Sequence, residues 1–112
     1  MSNDLQFTTE RVNDATVFRP HGEIDLSRSP ELRVQLTEVQ GNRPDRLVID
    51  LSQVPYMDSS GVATLVEAMQ VSRKHGGQLI LCGMQERVRS IFEIARLDTV
   101  FTIVDTTSEA TT

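Results

Sequence analysis

The sequence contains no tryptophan, one tyrosine and four phenylalanines, so its hydrophobic core must be mostly aliphatic. Its one cysteine, Cys82, cannot form an internal disulfide and lies in an apolar run at residues 79–82, which predicts a buried thiol. No apolar run approaches the ~18 residues of a membrane span. Residues 1–4 lack the basic and apolar segments of a secretory signal. We therefore expect an unprocessed cytoplasmic protein with no membrane attachment.

The charge balance argues against nucleic acid as a partner. The chain has 112 residues, close to the commonest size of a single domain, with 11 basic and 16 acidic residues. The basic residues are scattered and form no continuous patch that could follow a phosphate backbone. The composition thus predicts one domain without direct nucleic-acid binding.

Apolar periodicity predicts eight elements in the order β-β-α-β-α-β-α-β. The strands are expected at residues 5–12, 15–20, 47–51, 78–82 and 99–104, and the helices between about 29 and 41, 58 and 75, and 84 and 95. Strands that alternate with helices imply parallel neighbours and right-handed crossovers, here after an antiparallel hairpin. The predicted fold class is α/β, with one mixed sheet whose parallel core strands pack against helices.

Punctuating residues set the expected boundaries. Ser29 is the expected N-cap of the first helix, with Pro30 at its first position and Gly41 at its end. Residues 1–4 are predicted as a tail and residues 5–104 as the domain. Residues 105–112 contain no large apolar side chain and are predicted to be a loose polar tail.

The chain is organised around a strand, a turn and a helix at residues 47–75. Asp58 or Ser59 is the expected N-cap of this helix, because both side chains accept hydrogen bonds from first-turn N–H groups. Four apolar residues then recur at the spacing of one helix face: Val62, Leu65, Val66 and Met69.

Two adjacent hydroxyls give this turn a possible regulatory use. A phosphoryl group on Ser59 or Ser60 would add roughly −1.5 to −2 charges and three acceptor oxygens. It would lie against unsatisfied N–H groups at the positive end of the helix dipole. Gly61, which has no side chain, would leave the turn open to a partner. The same residues are also typical of an ordinary N-cap, so a purely structural turn is the alternative.

The sequence does not predict an enzyme, a metal site or a cofactor. His75 would lie about 22 Å from Ser60 along the helix, and the Gly-x-Ser-x-Gly elbow of serine hydrolases is absent. Glu23 and Asp25 form an acidic pair with no second cluster of ligands. Phosphate loops, dinucleotide fingerprints and Cys/His metal spacings are also absent. Any phosphoryl transfer would therefore be performed by another protein.

Several stretches together resemble the STAS domain of bacterial anti-sigma factor antagonists. The resemblance covers residues 5–104, in order and with similar spacing. The stretches that carry it are Gly22-Glu23-Ile24-Asp25, Leu47-Val48-Ile49-Asp50-Leu51, Tyr56-Met57-Asp58-Ser59-Ser60-Gly61-Val62, Gly76-Gly77-Gln78-Leu79 and Val88-Arg89-Ser90-Ile91-Phe92.

The resemblance implies a function and a site. Such a domain binds a serine-kinase anti-sigma factor, releases a sigma factor, and is inactivated when the kinase phosphorylates the residue after the Asp, here Ser59. A PP2C-type phosphatase restores the active form. The implied partner-binding residues are Glu23, Asp25, Asp58, Ser59, Ser60 and Gly61. The alternative function is a STAS scaffold that is not phosphorylated, or an accessory subunit of a signalling or transport complex.

Two features depart from the family pattern. Relatives often carry a further C-terminal helix, whereas residues 105–112 are short and polar, which implies that part of one layer is missing. Val62 and Ala63 also stand where many relatives have Leu-Gly. Neither departure affects Asp58 or Ser59.

Overall fold

The computed structural model describes residues 6–112, so the predicted tail at residues 1–4 and the first residue of the predicted domain lie outside it. The described part contains five strands and four α-helices. Their bounds are β1 Gln6–Val12, β2 Ala15–His21, α1 Ser29–Gln40, β3 Arg46–Asp50, α2 Ser59–Lys74, β4 Gln78–Cys82, α3 Glu86–Ile94, β5 Thr102–Val104 and α4 Thr107–Thr111, with a 3₁₀ helix at Leu97–Thr99 before β5.

The strands form one mixed sheet in the order β1-β2-β3-β4-β5. The β1–β2 pair is antiparallel, and the other three pairs are parallel. Asn13 and Asp14 form the β1–β2 turn with φ angles of 48° and 69°, as a tight two-residue hairpin requires. The predicted fold class is confirmed.

The main core lies between one face of the sheet and helices α1, α2 and α3. It is largely aliphatic, as the small number of aromatic residues predicts. Phe92 and Phe101 add an edge-to-face aromatic pair with ring centroids 5.5 Å apart. The fully buried side chains of this core include Phe18, Ile24, Leu32, Leu47, Ile49, Leu51, Met57, Leu65 and Leu81.

The second face of the sheet is covered by α4, so the prediction of a loose tail at residues 105–112 is wrong. Ala110 is buried against an aliphatic strip that includes Val48 and Ile80. Its small side chain is sufficient for this contact, which is why counting large apolar residues missed the helix. The Thr106 hydroxyl caps α4 by accepting from the Glu109 N–H at 3.1 Å. The resemblance implied that the C-terminal helix of the family is missing here, but a short C-terminal helix is present.

A partly buried ion pair within the sheet, Arg19–Asp50, is hydrogen-bonded to α4. Asp50 Oδ2 accepts hydrogen bonds from Arg19 Nε at 2.7 Å and from Thr107 Oγ1 at 3.2 Å, and its Oδ1 accepts from the Ser52 N–H at 2.9 Å. Burial disfavours the charged form of Asp50, but the hydrogen bonds from Arg19 and Ser52 outweigh this effect and lower the pKa of Asp50. The pattern of residues 47–51 predicts the strand but gives no sign of this network.

The start of α1 and the start of β5 differ from the prediction, whereas the burial of Cys82 agrees with it. Arg28, not Ser29, occupies the N-cap of α1, without a side-chain cap; Ser29 is the first helical residue and is buried. Strand β5 begins at Thr102 because the preceding chain forms the 3₁₀ helix, entered through Arg96 at a φ angle of 58°. Cys82 is buried, as predicted, and burial raises the pKa of its thiol.

Candidate functional site

The candidate site lies where α2 begins, at the edge of the sheet formed by the carboxyl ends of the parallel strands. Asp58 is the N-cap, with extended backbone, and Ser59 is the first helical residue. Asp58 Oδ1 accepts from the Ser60 N–H at 2.9 Å and from the Gly61 N–H at 3.4 Å. The predicted N-cap is therefore confirmed for Asp58 and not for Ser59.

The two hydroxyls of the turn differ in their surroundings. The Ser60 side chain is partly buried, and its hydroxyl donates to Asp58 Oδ1 at 2.5 Å. Ser59 is exposed, and its hydroxyl makes no hydrogen bond to any residue of the described chain. Ser59 thus presents the more accessible oxygen of the pair.

A short bridge brings the loop after β2 beside this turn. Ile24 and Met57 pair in parallel; the Ile24 N–H donates to the Tyr56 carbonyl at 3.0 Å, and the Asp58 N–H donates to the Ile24 carbonyl at 3.1 Å. Glu23 and Asp25, which flank Ile24 in sequence, are therefore held next to residues 56–58. Sequence spacing could not establish this placement, since 32 positions separate the two segments where Leu26 meets Asp58.

Leu26 and Ser27 extend the same loop, and no sequence pattern singled them out. The Leu26 N–H donates to Asp58 Oδ2 at 3.1 Å, so Asp58 holds both the start of α2 and the loop. Asp25 closes a turn of its own, because its Oδ1 accepts from the Ser27 N–H at 3.0 Å and from the Ser27 hydroxyl at 2.7 Å. The loop is thereby fixed by its own Asp25 and by Asp58 of the neighbouring turn.

These hydrogen bonds also favour the charged form of the two carboxylates. The Ser60 hydroxyl is the main cause of the lowered pKa of Asp58, and the backbone N–H groups of Ser60, Gly61 and Leu26 add to it. The Ser27 hydroxyl is the main cause of the lowered pKa of Asp25. Both carboxylates are charged at neutral pH, and the bond from the Leu26 N–H to Asp58 brings Asp58 beside the residue that follows Asp25.

The structure changes the expected setting of an added phosphate. The N–H groups of Ser60 and Gly61 are already bonded to Asp58, so they are not free to receive a phosphate on Ser59. A phosphoryl group there would instead project from the surface beside a carboxylate. The result is an increase in local negative charge and not a new cap for the helix.

The sequence predicts that Gly61 leaves the turn open to a partner, but in the structure Gly61 serves the packing of α2. The residue is buried, and an added Cβ would lie 2.6 Å from Met57 Cγ and 2.8 Å from Ile24 Cγ2. The missing side chain lets α2 approach the Ile24–Met57 bridge closely. Gly61 therefore supports the site from beneath.

The groups considered for other chemistry lie elsewhere or do not converge. His75 is the C-cap at the opposite end of α2 from Ser59 and Ser60. Across residues 6–112, no three His, Cys, Asp or Glu side chains are placed to share a metal ion. None of the helices in that range combines the length and apolar character needed to cross a bilayer.

Comparisons with known proteins identify the family of this chain. The STAS domain family model matches residues 6–110. The chain is similar to the anti-sigma-B factor antagonist of Listeria monocytogenes, with 34% identity over 100 residues, covering 89% of this chain and 88% of the relative. It is 37% identical over 82 residues to the anti-sigma-B factor antagonist of Bacillus subtilis, covering 73% of this chain and 74% of the relative.

A solved structure shows the same architecture. The crystal structure of an anti-sigma factor antagonist from Mycobacterium paratuberculosis superposes with a TM-score of 0.87 at 26% identity, covering 95% of this chain and 90% of that one. The fold is that of a STAS domain. The chain belongs to the STAS family of anti-sigma factor antagonists, whose members generally are not enzymes.

Proposed function

We propose that this protein is an anti-sigma factor antagonist that binds a serine-kinase anti-sigma factor, thereby releases a sigma factor, and is inactivated when that kinase phosphorylates Ser59. The names of the relatives support the general function. The observation that supports Ser59 as the acceptor is the difference between the two hydroxyls, since Ser59 is exposed and Ser60 is bonded to Asp58.

The proposed docking region is the switch surface, defined here as Glu23, Asp25, Asp58, Ser59 and Ser60. Hydrogen bonding through Ile24 and Asp58 holds its two segments together. Gly61, counted with these residues from the sequence, lies underneath and contributes by fixing the start of α2. A partner that covers the switch surface would bury two carboxylates of lowered pKa and would have to supply hydrogen-bond donors to them.

Phosphorylation would act on this surface by charge. A phosphoryl group on Ser59 adds roughly −1.5 to −2 charges next to Asp58. Docking would then require the burial of an additional dianion beside carboxylates that are already present, at a cost of several kcal/mol if no cation pairs with it. A penalty of about 3 kcal/mol weakens binding more than a hundredfold. No refolding is needed, because Ser59 is exposed and its hydroxyl supports no bond within the described chain.

The same exposure would allow reversal. A phosphoserine at the first position of α2 projects from the protein and can enter the active site of a PP2C-type phosphatase without local unfolding. The antagonist itself would supply no catalytic group for either step. The kinase adds the phosphate and the phosphatase removes it.

Matched serine variants test this proposal. The wild type, Ser59→Ala and Ser60→Ala would each be co-expressed with the serine-kinase anti-sigma factor of the same genome and analysed by intact mass and fragment mapping. We expect one phosphate on the wild type and on Ser60→Ala, and none on Ser59→Ala. Phosphate that persists in Ser59→Ala would refute the site. A wild type that gains no phosphate would favour the scaffold function.

A further inference from the structure

We propose that Leu26 is the apolar anchor of the switch surface and inserts into a hydrophobic pocket of the anti-sigma factor. This inference rests on the proposed function and adds a specificity-determining residue to it. Neither the sequence motif nor the predicted partner-binding residues include Leu26.

Leu26 is presented on a rigid turn. Its N–H donates to Asp58 Oδ2 at 3.1 Å. The Asp25 carbonyl accepts from the N–H groups of Arg28 at 3.0 Å and Ser29 at 2.9 Å, which closes the turn and leads into α1. An apolar side chain on a fixed backbone loses little conformational freedom on binding, so most of its burial contributes to affinity.

The Leu26 side chain has no evident role in the fold. It is 74% exposed and belongs to neither hydrophobic cluster of the described residues. A single exposed leucine is common on protein surfaces. Leu26 differs from that common case because its backbone is tied to the same carboxylate that caps the helix bearing Ser59.

The surroundings of Leu26 specify the kind of pocket that would receive it. The Leu26 backbone N–H is bonded to the Asp58 carboxylate and Asp25 is the preceding residue, and both carboxylates are charged at neutral pH. An apolar centre within a charged rim is the usual composition of a small docking site. The matching pocket is therefore apolar at its base and carries hydrogen-bond donors at its edge.

Ile94 offers a matched control, since it is an aliphatic residue with 84% exposure. It ends α3, a helix of 9 residues. This helix begins beside the carboxyl end of β4 and runs back along the sheet, so Ile94 lies about 12 Å along the helix axis from its start. Truncating Ile94 removes a similar apolar area away from the switch surface.

The experiment measures the affinity of the purified serine-kinase anti-sigma factor for four proteins: wild type, Leu26→Ala, Leu26→Met and Ile94→Ala. Titration calorimetry without ATP keeps all of them unphosphorylated. We expect Leu26→Ala to bind at least about tenfold more weakly, and Leu26→Met and Ile94→Ala to bind within about threefold of the wild type, since methionine keeps the apolar area. Thermal unfolding should be unchanged in all four, because both side chains are largely exposed.

If the wild type and Leu26→Ala bind the anti-sigma factor with equal affinity, Leu26 is not an anchor, and the proposed function stays intact. Equal losses in Leu26→Ala and Ile94→Ala would show a general effect of surface hydrophobicity and also overturn the anchor. An absence of wild-type binding would overturn the proposed function and this inference with it.

Discussion

Replacing Asp58 with alanine removes the side chain that joins α2 to the neighbouring loop. The substitution deletes the acceptor for the N–H groups of Ser60, Gly61 and Leu26. Loss of an N-cap carboxylate costs about 1 kcal/mol, within a range of about 0.5–2. The Leu26 N–H is exposed and can bond to water, so it adds little. We expect Asp58→Ala to be less stable than the wild type by about 1–2 kcal/mol.

Asp58→Asn separates hydrogen bonding from charge. Asparagine keeps an oxygen that can accept from the Ser60 N–H but loses the favourable interaction of a negative charge with the start of the helix, about 0.3–1 kcal/mol. The expected order of stability at pH 7 is wild type, then Asp58→Asn, then Asp58→Ala. The asparagine variant should remain folded and should retain most of the helix content.

The pH dependence gives a second check on Asp58. Its pKa in the folded protein lies below the ordinary value of 3.8. The charged carboxylate therefore stabilises the fold fully at pH values above about 4, and this contribution is lost as the pH falls through the lower folded pKa. The stability difference between the wild type and Asp58→Asn should shrink when the pH is lowered from 7 to 3.

Urea unfolding followed by circular dichroism at both pH values measures these differences. A midpoint for Asp58→Ala equal to that of the wild type at pH 7 would refute the role of Asp58 as a cap. A difference between the wild type and Asp58→Asn that grows toward pH 3 would show that the sign of the charge effect is wrong.

Three further predictions concern the support of the site. Gly61→Ala should destabilise the protein by about 1–3 kcal/mol, because the new methyl group would overlap Met57 and Ile24; urea unfolding would show this, and an increase in stability would refute the close approach. Asp50→Ala should cost about 1.5–3 kcal/mol, since it leaves Arg19 without its charge-assisted hydrogen bond, and an unchanged midpoint would contradict that network. Truncation after residue 106 removes α4 and should lower the melting temperature and increase binding of a hydrophobic dye, whereas an unchanged protein would mean that α4 contributes no cover.

Much of the fold could be predicted because its elements carry strong local signals. Residues 47–51 form a dense apolar run, and Gly76 and Gly77 separate α2 from β4, whose predicted bounds agree with the structure. Asn13 and Asp14 predict the hairpin turn, because asparagine and aspartate tolerate left-handed backbone angles, which both residues adopt in the structure. Each of these features is encoded within a few consecutive residues.

The missed features depend on contacts between distant parts of the chain. Helix α4 is held by the buried residues Ala110 and Thr111 and by hydrogen bonds that involve Arg46 and Asp50, none of which produces an amphipathic pattern. The adjacency of the loop after β2 to the turn before α2 arises from the Ile24–Met57 bridge. Leu26 carried no signal at all, since its importance rests on one backbone hydrogen bond to Asp58.

The most direct test of the account compares the two charge states of Ser59 in binding. The protein would be phosphorylated to completion by its kinase, purified, and titrated beside the unphosphorylated form against the same anti-sigma factor, with ATP absent so that neither form changes. We expect the phosphorylated form to bind more than a hundredfold more weakly while its circular dichroism spectrum stays the same. Equal affinities, or a loss of affinity accompanied by a loss of helix, would contradict it.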